Sequence, residues 1–202
     1  MRAAVLSERH RPSRTANIAG KTAGMAHSHD SHTHDADALC DVAHGEAAAG
    51  DGDRTLVAVF ASPVADYLLR YGADLGFRGI LFEPDPSRIT VPVGFEVVTA
   101  PPADLDGTAD IVLTDHHRPE LAAVLHGLLA HKCRWIGVMG SPRHPAPYLQ
   151  ALAELGAREE DIARVHRPIG LNIGSRTPPE IAIATLAGLL ADRNGRPGGF
   201  TF

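Results

Sequence analysis

The sequence predicts an α/β protein: a Rossmann-like, open, mostly parallel, doubly wound sheet behind a disordered, histidine-rich N-terminal tail. Three observations carry this reading. Short continuous apolar runs with β-branched content recur from residue 55 onward, as strands covered on both faces require. Segments with apolar residues at helical spacing stand between them, and strands alternating with helices argue for a parallel sheet. The runs end in polar or glycine-bearing turns, which is where sheets of this kind bind ligands.

The bulk properties narrow the classes. A chain of 202 residues suffices for one domain with a full core and a tail. With 44% hydrophobic and 21% charged residues it reads as a soluble globular protein. The net charge of −5 implies no basic face, so nucleic acid is not an expected partner. The two cysteines, Cys40 and Cys133, are too few for a disulfide framework and suit the reducing cytoplasm. No apolar run reaches transmembrane length, and the arginines between Arg9 and Arg14 are followed by no apolar h-region. A cytoplasmic protein without membrane insertion is expected.

Residues 1–54 lack hydrophobic periodicity and predict disorder. Met25 offers a second start, which leaves residues 1–24 open to being an upstream extension. Within the tail, His27, His29, His32 and His34 stand among Asp30, Asp35 and Asp37, with Cys40 and His44 beyond. Imidazoles and carboxylates this dense are candidate ligands for Zn²⁺ or Ni²⁺, although the spacing is not that of a closed structural site. The alternative is a solvated tail without function.

Residues 55–193 carry the predicted domain. Thr55–Ala61 reads as a buried parallel strand. Ser62-Pro63 opens a helix with Val64, Tyr67, Leu68, Tyr71 and Leu75 on one face, ended by Gly76. Gly79–Glu83 is a second strand, Phe95–Val98 a short third, and Asp110–Thr114 a buried fourth. Leu121, Val124, Leu125, Leu128 and Leu129 match an amphipathic helix in full. Trp135–Met139 is the fifth strand, and residues 145–155 form a helix through Leu149, Leu152 and Leu155. A short helix over 158–165 and a last helix over 178–192 complete the domain; the last is apolar nearly all round and is expected to be buried on more than one side. Residues 194–202 form a flexible tail.

The candidate site residues lie at the strand ends. Glu83 stands where a dinucleotide fold places its ribose-binding acid, but the turn after the first strand, Phe60–Ala65, has none of the glycines that let a backbone approach a pyrophosphate. In Thr114-Asp115-His116-His117, adjacent histidines suit metal binding, anion binding or proton transfer; the bland reading has Asp115 or His116 capping a helix begun by Pro119. Gly140, Ser141 and Arg143 suit a phosphate-facing turn, or else a capped helix start. Gly170 and Gly174 lie in a polar loop before Thr177-Pro178-Pro179-Glu180, a capping box that reads either as a rigid turn into a capped core helix or, through its free first-turn N–H groups, as an anion site. Cys133 reads as a core residue rather than a nucleophile.

Trp135–Ser141, Leu152–Gly156, and Val165-His166-Arg167-Pro168-Ile169-Gly170-Leu171-Asn172-Ile173-Gly174 with Thr177–Ala182 resemble the C-terminal domain of the XdhC/CoxI family. These are accessory proteins for xanthine dehydrogenase, CO dehydrogenase and related molybdenum hydroxylases. The resemblance implies a Rossmann-like fold and a maturation factor that binds molybdenum cofactor (molybdopterin) and hands it to an apo-hydroxylase subunit. It places cofactor contacts at Thr114 and His117, with His116 standing in altered order in that turn, and at Gly140, Ser141, Gly170, Gly174, Thr177 and Glu180, with Asn172 in place of the family's commoner Asp; Arg143 and Glu83 are added from their positions at the strand ends. Two departures stand out: the family's first-strand glycine turn is lost at Ala61–Ala65, and its N-terminal domain has no counterpart here. The resemblance therefore implies a separate protein supplying that domain, and the apolar last helix admits a homodimer contact. Two other readings stay open: an NAD(P)-dependent oxidoreductase on the same fold, and a ligand-free structural or regulatory subunit.

Overall fold

A computed structural model describes residues 54–89, 94–141, 143 and 145–199. The proposed metal ligands His27, His29, His32 and His34 lie outside the described residues. The strands are β1 (Thr55–Val59), β2 (Arg78–Phe82), β3 (Glu96–Val98), β4 (Asp110–Leu113), β5 (Trp135–Val138) and β6 (Val165–His166). The helices are α1 (Pro63–Asp74), α2 (Leu121–Leu129), α3 (Pro147–Glu154), α4 (Glu159–Ile162) and α5 (Pro178–Arg193).

The six strands form one sheet in the order β3-β2-β1-β4-β5-β6, and every neighbouring pair is parallel. The chain winds outward from β1 in one direction through β2 and β3, then returns and winds the other way through β4, β5 and β6. The order therefore reverses between β1 and β4, and the crevice of such a fold opens at the carboxyl ends of these two strands. The apolar runs at β1, β4 and β5 are buried because helices cover both faces. On one face Val57, Ile111, Ile136 and Val138 pack with Leu121, Leu125, Leu128 and Leu152 of α2 and α3. On the other, Leu56, Ala58, Val112 and Trp135 pack with Leu68 and Leu69 of α1 and Ala182, Leu186 and Leu189 of α5. Each large apolar side chain so buried contributes roughly 1.5–3 kcal/mol before the entropy of ordering it is counted.

Four details depart from the sequence reading. The predicted helix over 158–165 stops at Ile162, and Val165–His166 instead adds a sixth strand, paired with β5 through Ile136–Val165 and Gly137–His166. A strand of two residues, half polar, carries no periodicity to detect. In α3 the buried residues are Tyr148 and Leu152, while Leu149 and Leu155 are exposed. In α5, Ile183 is 52% exposed, so the helix buries a broad stripe rather than its whole circumference. Leu75, placed on the apolar face of α1, follows the helix end and is exposed.

At the amino end of the sheet, the fully buried Asp110 takes Arg134 Nε at 2.6 Å and Arg193 Nε at 2.8 Å, and Arg193 also donates to the Thr108 carbonyl at 2.7 Å. This fork ties the last turn of α5 to the first residue of β4. It fixes the direction of α5, whose N-terminus consequently stands at the carboxyl edge of the sheet. None of the described helices is long and apolar enough to cross a membrane.

Candidate functional site

The crevice is built first from the β1–α1 turn. Phe60 takes φ +73°, a left-handed conformation that a non-glycine residue rarely adopts. Surrounding bonds hold it there. Its N–H donates to the Phe82 carbonyl at 2.8 Å, and its carbonyl lies 2.9 Å from the Thr114 hydroxyl, which is also 3.0 Å from the Val59 carbonyl. Ser62 Oγ is 2.9 Å from Thr114 Oγ1 and accepts from the Ala65 N–H at 3.1 Å, capping α1. One proton arrangement satisfies all of these: the Ser62 hydroxyl donates to Thr114, whose own hydroxyl donates to the backbone carbonyls. Thr114 is thus a buried tie between β4 and the first turn rather than a free hydroxyl.

Glu83, just past β2, is fully buried. One carboxylate oxygen accepts from the Ala61 N–H at 2.7 Å, the other from the Asp85 N–H at 3.0 Å. Arg118, in the loop after β4, grips both oxygens at 3.0 and 2.7 Å and donates onward to Glu120. Its guanidinium lies over the Phe60 ring, 4.5 Å from the centroid. Burial alone would push the Glu83 carboxyl up, but Arg118 and the two backbone N–H groups outweigh burial and hold it below the usual carboxylate range. Glu83 in turn raises the Arg118 guanidinium. The expected ribose acid is therefore an internal anchor. Arg118 was missed from sequence because its partner acid lies 35 residues away; the one available signal was a buried-strand acid with no neighbouring base.

The next loop carries the adjacent histidines. Asp115 accepts from the His117 N–H at 2.9 Å, which tightens the turn, and the His116 and His117 rings are 4.0 Å apart. Neither Asp115 nor His116 caps α2: that helix begins at Leu121 with Glu120 at its N-cap position.

The β5 end lies beside the β4 end, since Leu113 pairs with Val138 and the Met139 N–H reaches the Leu113 carbonyl at 2.9 Å. Gly140 has φ +154°, and a Cβ there would stand 3.1 Å from Arg167 Nε. The Arg167 guanidinium occupies the place of a side chain and donates to the Ser141 carbonyl at 2.6 Å. Ser141 Oγ accepts from the Arg143 N–H at 3.2 Å, and Arg143 is exposed. One guanidinium, that of Arg167, and the Ser141 hydroxyl thus meet at this turn, and the exposed Arg143 is part of the same loop. Arg167 enters because β6 runs alongside β5, a pairing that leaves no periodic trace in two residues.

Gly170 and Gly174 serve different ends. Gly170 (φ +78°) is pressed against α5: a Cβ would meet the Ala184 carbonyl oxygen at 2.5 Å, a Cβ on Gly188 would meet Gly170 Cα at 2.6 Å, and the Leu171 N–H donates to Ala184 at 2.9 Å. Gly170 is required for loop–helix packing. Gly174 (φ +71°) has no neighbour within 4 Å of such an atom and supplies a turn; Asn172 beside it is exposed.

The expected anion site at the start of α5 is closed. The capping box forms, with Glu180 accepting from the Thr177 N–H at 3.1 Å and the Arg176 N–H at 2.7 Å. Pro178 and Pro179 have no N–H, the Glu180 N–H is taken by Thr177, and the Ile181 N–H donates to the Thr177 carbonyl. The first-turn donors are spent, and a carboxylate stands among them. The two prolines were visible in the sequence; their consequence follows only when the donors are counted one by one.

Among the described residues no three His, Cys, Asp or Glu side chains gather as a metal site. A separate cleft of about 680 Å³ lies at the amino edge of the sheet, lined by His131, Cys133 and Arg164 among others. Burial pushes the Cys133 thiol up against the opposing pull of Arg164, which suits a packed cysteine and not a nucleophile.

Comparison with known proteins gives these likenesses. The profile of the XdhC Rossmann domain matches residues 56–189. The uncharacterized protein YqeB of Escherichia coli K12 is 45% identical over 75 residues, which are 37% of this chain and 14% of YqeB. A crystal structure described as a xanthine dehydrogenase from Bacillus halodurans superposes with a TM-score of 0.57 at 23% identity, covering 74% of this chain and 45% of that one. The TT0316 protein of Thermus thermophilus covers 81% of this chain and 61% of its own, at 15% identity and a TM-score of 0.34. The chain thus spans less than half the length of both YqeB and the Bacillus protein.

Proposed function

The chain belongs to the XdhC family through its Rossmann domain, and on that premise we propose that it acts in the maturation of a molybdenum hydroxylase of the xanthine or CO dehydrogenase type, by holding molybdenum cofactor at the carboxyl edge of the sheet. The observation that carries this reading is the turn at Gly140 and Ser141, where the Arg167 guanidinium bonds the Ser141 carbonyl and the exposed Arg143 follows two residues after the half-buried Ser141 hydroxyl. A phosphate monoester is the group that such a donor set recognises best. Molybdopterin ends in one, so the residues present fit this group. His116 and His117, one strand away, are the groups for the pterin end, and the tied Ser62–Thr114 pair shapes the floor between them.

When bound, the cofactor supplies the molybdenum that the hydroxylase uses in its own reaction. The work of this chain is to bind, orient and release it. An apo-hydroxylase subunit is the receiving partner. The Bacillus protein described as a xanthine dehydrogenase supports the choice of client class.

The test is retention of cofactor, released from a purified molybdoenzyme, by wild type, Arg143→Ala and Ser141→Ala. Losing one charge-assisted hydrogen bond weakens binding by roughly tenfold or more. Quantified after gel filtration through the fluorescence of its oxidised pterin, the cofactor should remain with wild type and drop about tenfold for Arg143→Ala. Equal retention by all three proteins counts against the reading.

A further inference from the structure

We infer that Arg118 is a specificity-determining residue: with Glu83 it forms a polar plug that closes the nucleoside half of the crevice. The site is thereby restricted to a ligand carrying a single terminal phosphate and no nucleotide. The inference rests on the binding reading above for the identity of the ligand, but the plug itself is argued from the fold.

In a doubly wound sheet of this strand order, a dinucleotide lays one nucleoside over the ends of β1 and β2, with an acid at the end of β2 on its ribose. This chain has the acid, Glu83, and spends it internally. Its four hydrogen bonds come from Ala61, Asp85 and both terminal nitrogens of Arg118. A ribose diol would need those same lone pairs. The guanidinium lies flat over Phe60, the residue at the end of β1, and is itself buried. The phosphate side of that half is narrowed by the same logic. At the start of α1, Pro63 has no N–H, the Ala61 N–H is held by Glu83, the Ala65 N–H by Ser62 Oγ, and the Asp66 N–H by the Ser62 carbonyl. Three of the donors available to a pyrophosphate at this turn, the N–H groups of Ala61, Ala65 and Asp66, are committed here to the protein itself.

The β4–β6 half shows the contrast. There the turn at Gly140 and Ser141 keeps a hydroxyl and the exposed Arg143. A ligand entering the crevice finds charge complementarity for a phosphate on this side, and on the other side a neutralised ion pair. Arg118 is the hinge of this asymmetry, because removing it returns to Glu83 the free oxygens that a ribose binds.

NADH and ADP titrated against the full chain, by fluorescence and by calorimetry, test the plug. Wild type should show no saturable binding up to roughly 1 mM. Arg118→Ser should bind NADH at least tenfold more tightly than wild type, and the gain should vanish in Arg118→Ser/Glu83→Gln. Micromolar binding of NADH or ADP by wild type overturns the inference, and so does a folded Arg118→Ser that gains nothing. A further measurement needs no variant: wild type should prefer molybdopterin to its cytosine dinucleotide form by about tenfold or more, and equal affinity overturns the plug. If wild type takes up neither cofactor form while Arg118→Ser gains NADH, the plug stands and the cofactor reading falls.

Discussion

At Glu83 and Arg118 two charges lie out of water, and their net worth depends on what is left behind when one is removed. A buried pair with good geometry roughly offsets its own desolvation, but a lone buried carboxylate does not. Arg118→Met should therefore destabilise by about 3–5 kcal/mol, whereas Glu83→Gln/Arg118→Met should recover a large part of that loss. Urea unfolding of the four members of the cycle checks this. Additive effects of the two substitutions would show that the pair does not act as a unit. The same lock explains how Phe60 holds φ +73° where sequence reasoning looked for a glycine. The Phe82 carbonyl, the Thr114 hydroxyl and the Arg118 guanidinium all act on that one residue. The missing glycine motif thus changes which side chain sits at the turn and how its donors are used; a sharp left-handed turn is made all the same.

At the scale of elements, α5 joins three tasks. Its C-terminal Arg193 anchors β4, its middle packs against the loop through Gly170 and Gly188, and its first turn closes on itself through the capping box. Gly188→Ala should force the loop off the helix, because the new methyl would lie 2.6 Å from Gly170 Cα, backbone that cannot rotate away. Overpacking of this kind costs about 1–3 kcal/mol, read as a lowered urea midpoint, and a midpoint equal to wild type would show that the loop yields. Glu180→Ala should cost roughly 0.5–2 kcal/mol through the lost cap, and it should leave cofactor retention unchanged, since the first-turn donors of α5 serve the helix alone. Reduced retention at full stability would return Glu180 to the site. Strands β1, β4 and β5 and the helices α1, α2 and α5 were legible in the sequence, because burial on both faces or on one stripe leaves a periodic trace. The strand β6 was not, since two residues at a sheet edge leave none, and with it went the reason for Arg167 to stand behind Gly140. The exposed Leu149, Leu155 and Ile183 show the converse limit: apolar spacing names a face, and packing decides how much of it is covered.

Across the whole molecule the strand order gathers the ends of β1, β4, β5 and β6 at one edge; the parallel sheet was legible from the alternation of elements, but the place of β6 in it was not. What sequence could not give was the division of that edge into a closed half at Glu83 and a donor-bearing half at Ser141, because it depends on long-range pairing of charges. The division also sets the response of the fold to acid. Glu83 is held below its ordinary range, so its contribution to stability is present above the unfolded carboxylate value of about 4.3 and is lost as pH falls through the lower folded value. Asp85, Glu120 and Asp161 are lowered as well, through hydrogen bonds from Ser87, from Arg118 and from Arg158 respectively, and act in the same direction. Asp110 runs the other way: burial raises it against the pull of Arg134 and Arg193, so it favours the fold below the unfolded carboxylate range and does so less as pH rises through the raised folded value. Because these groups overlap, the overall pH profile alone assigns nothing; the comparison with one variant does. The stability advantage of wild type over Glu83→Gln should be constant between pH 8 and 6 and shrink steadily below about pH 4.3, as Glu83 takes up the proton that the variant has no site for. Urea midpoints for both proteins across that range measure it. Profiles that stay parallel down to the acid limit would mean that Glu83 titrates alike in the folded and unfolded chains, and the buried lock at the first turn would then not be holding an ionised carboxylate.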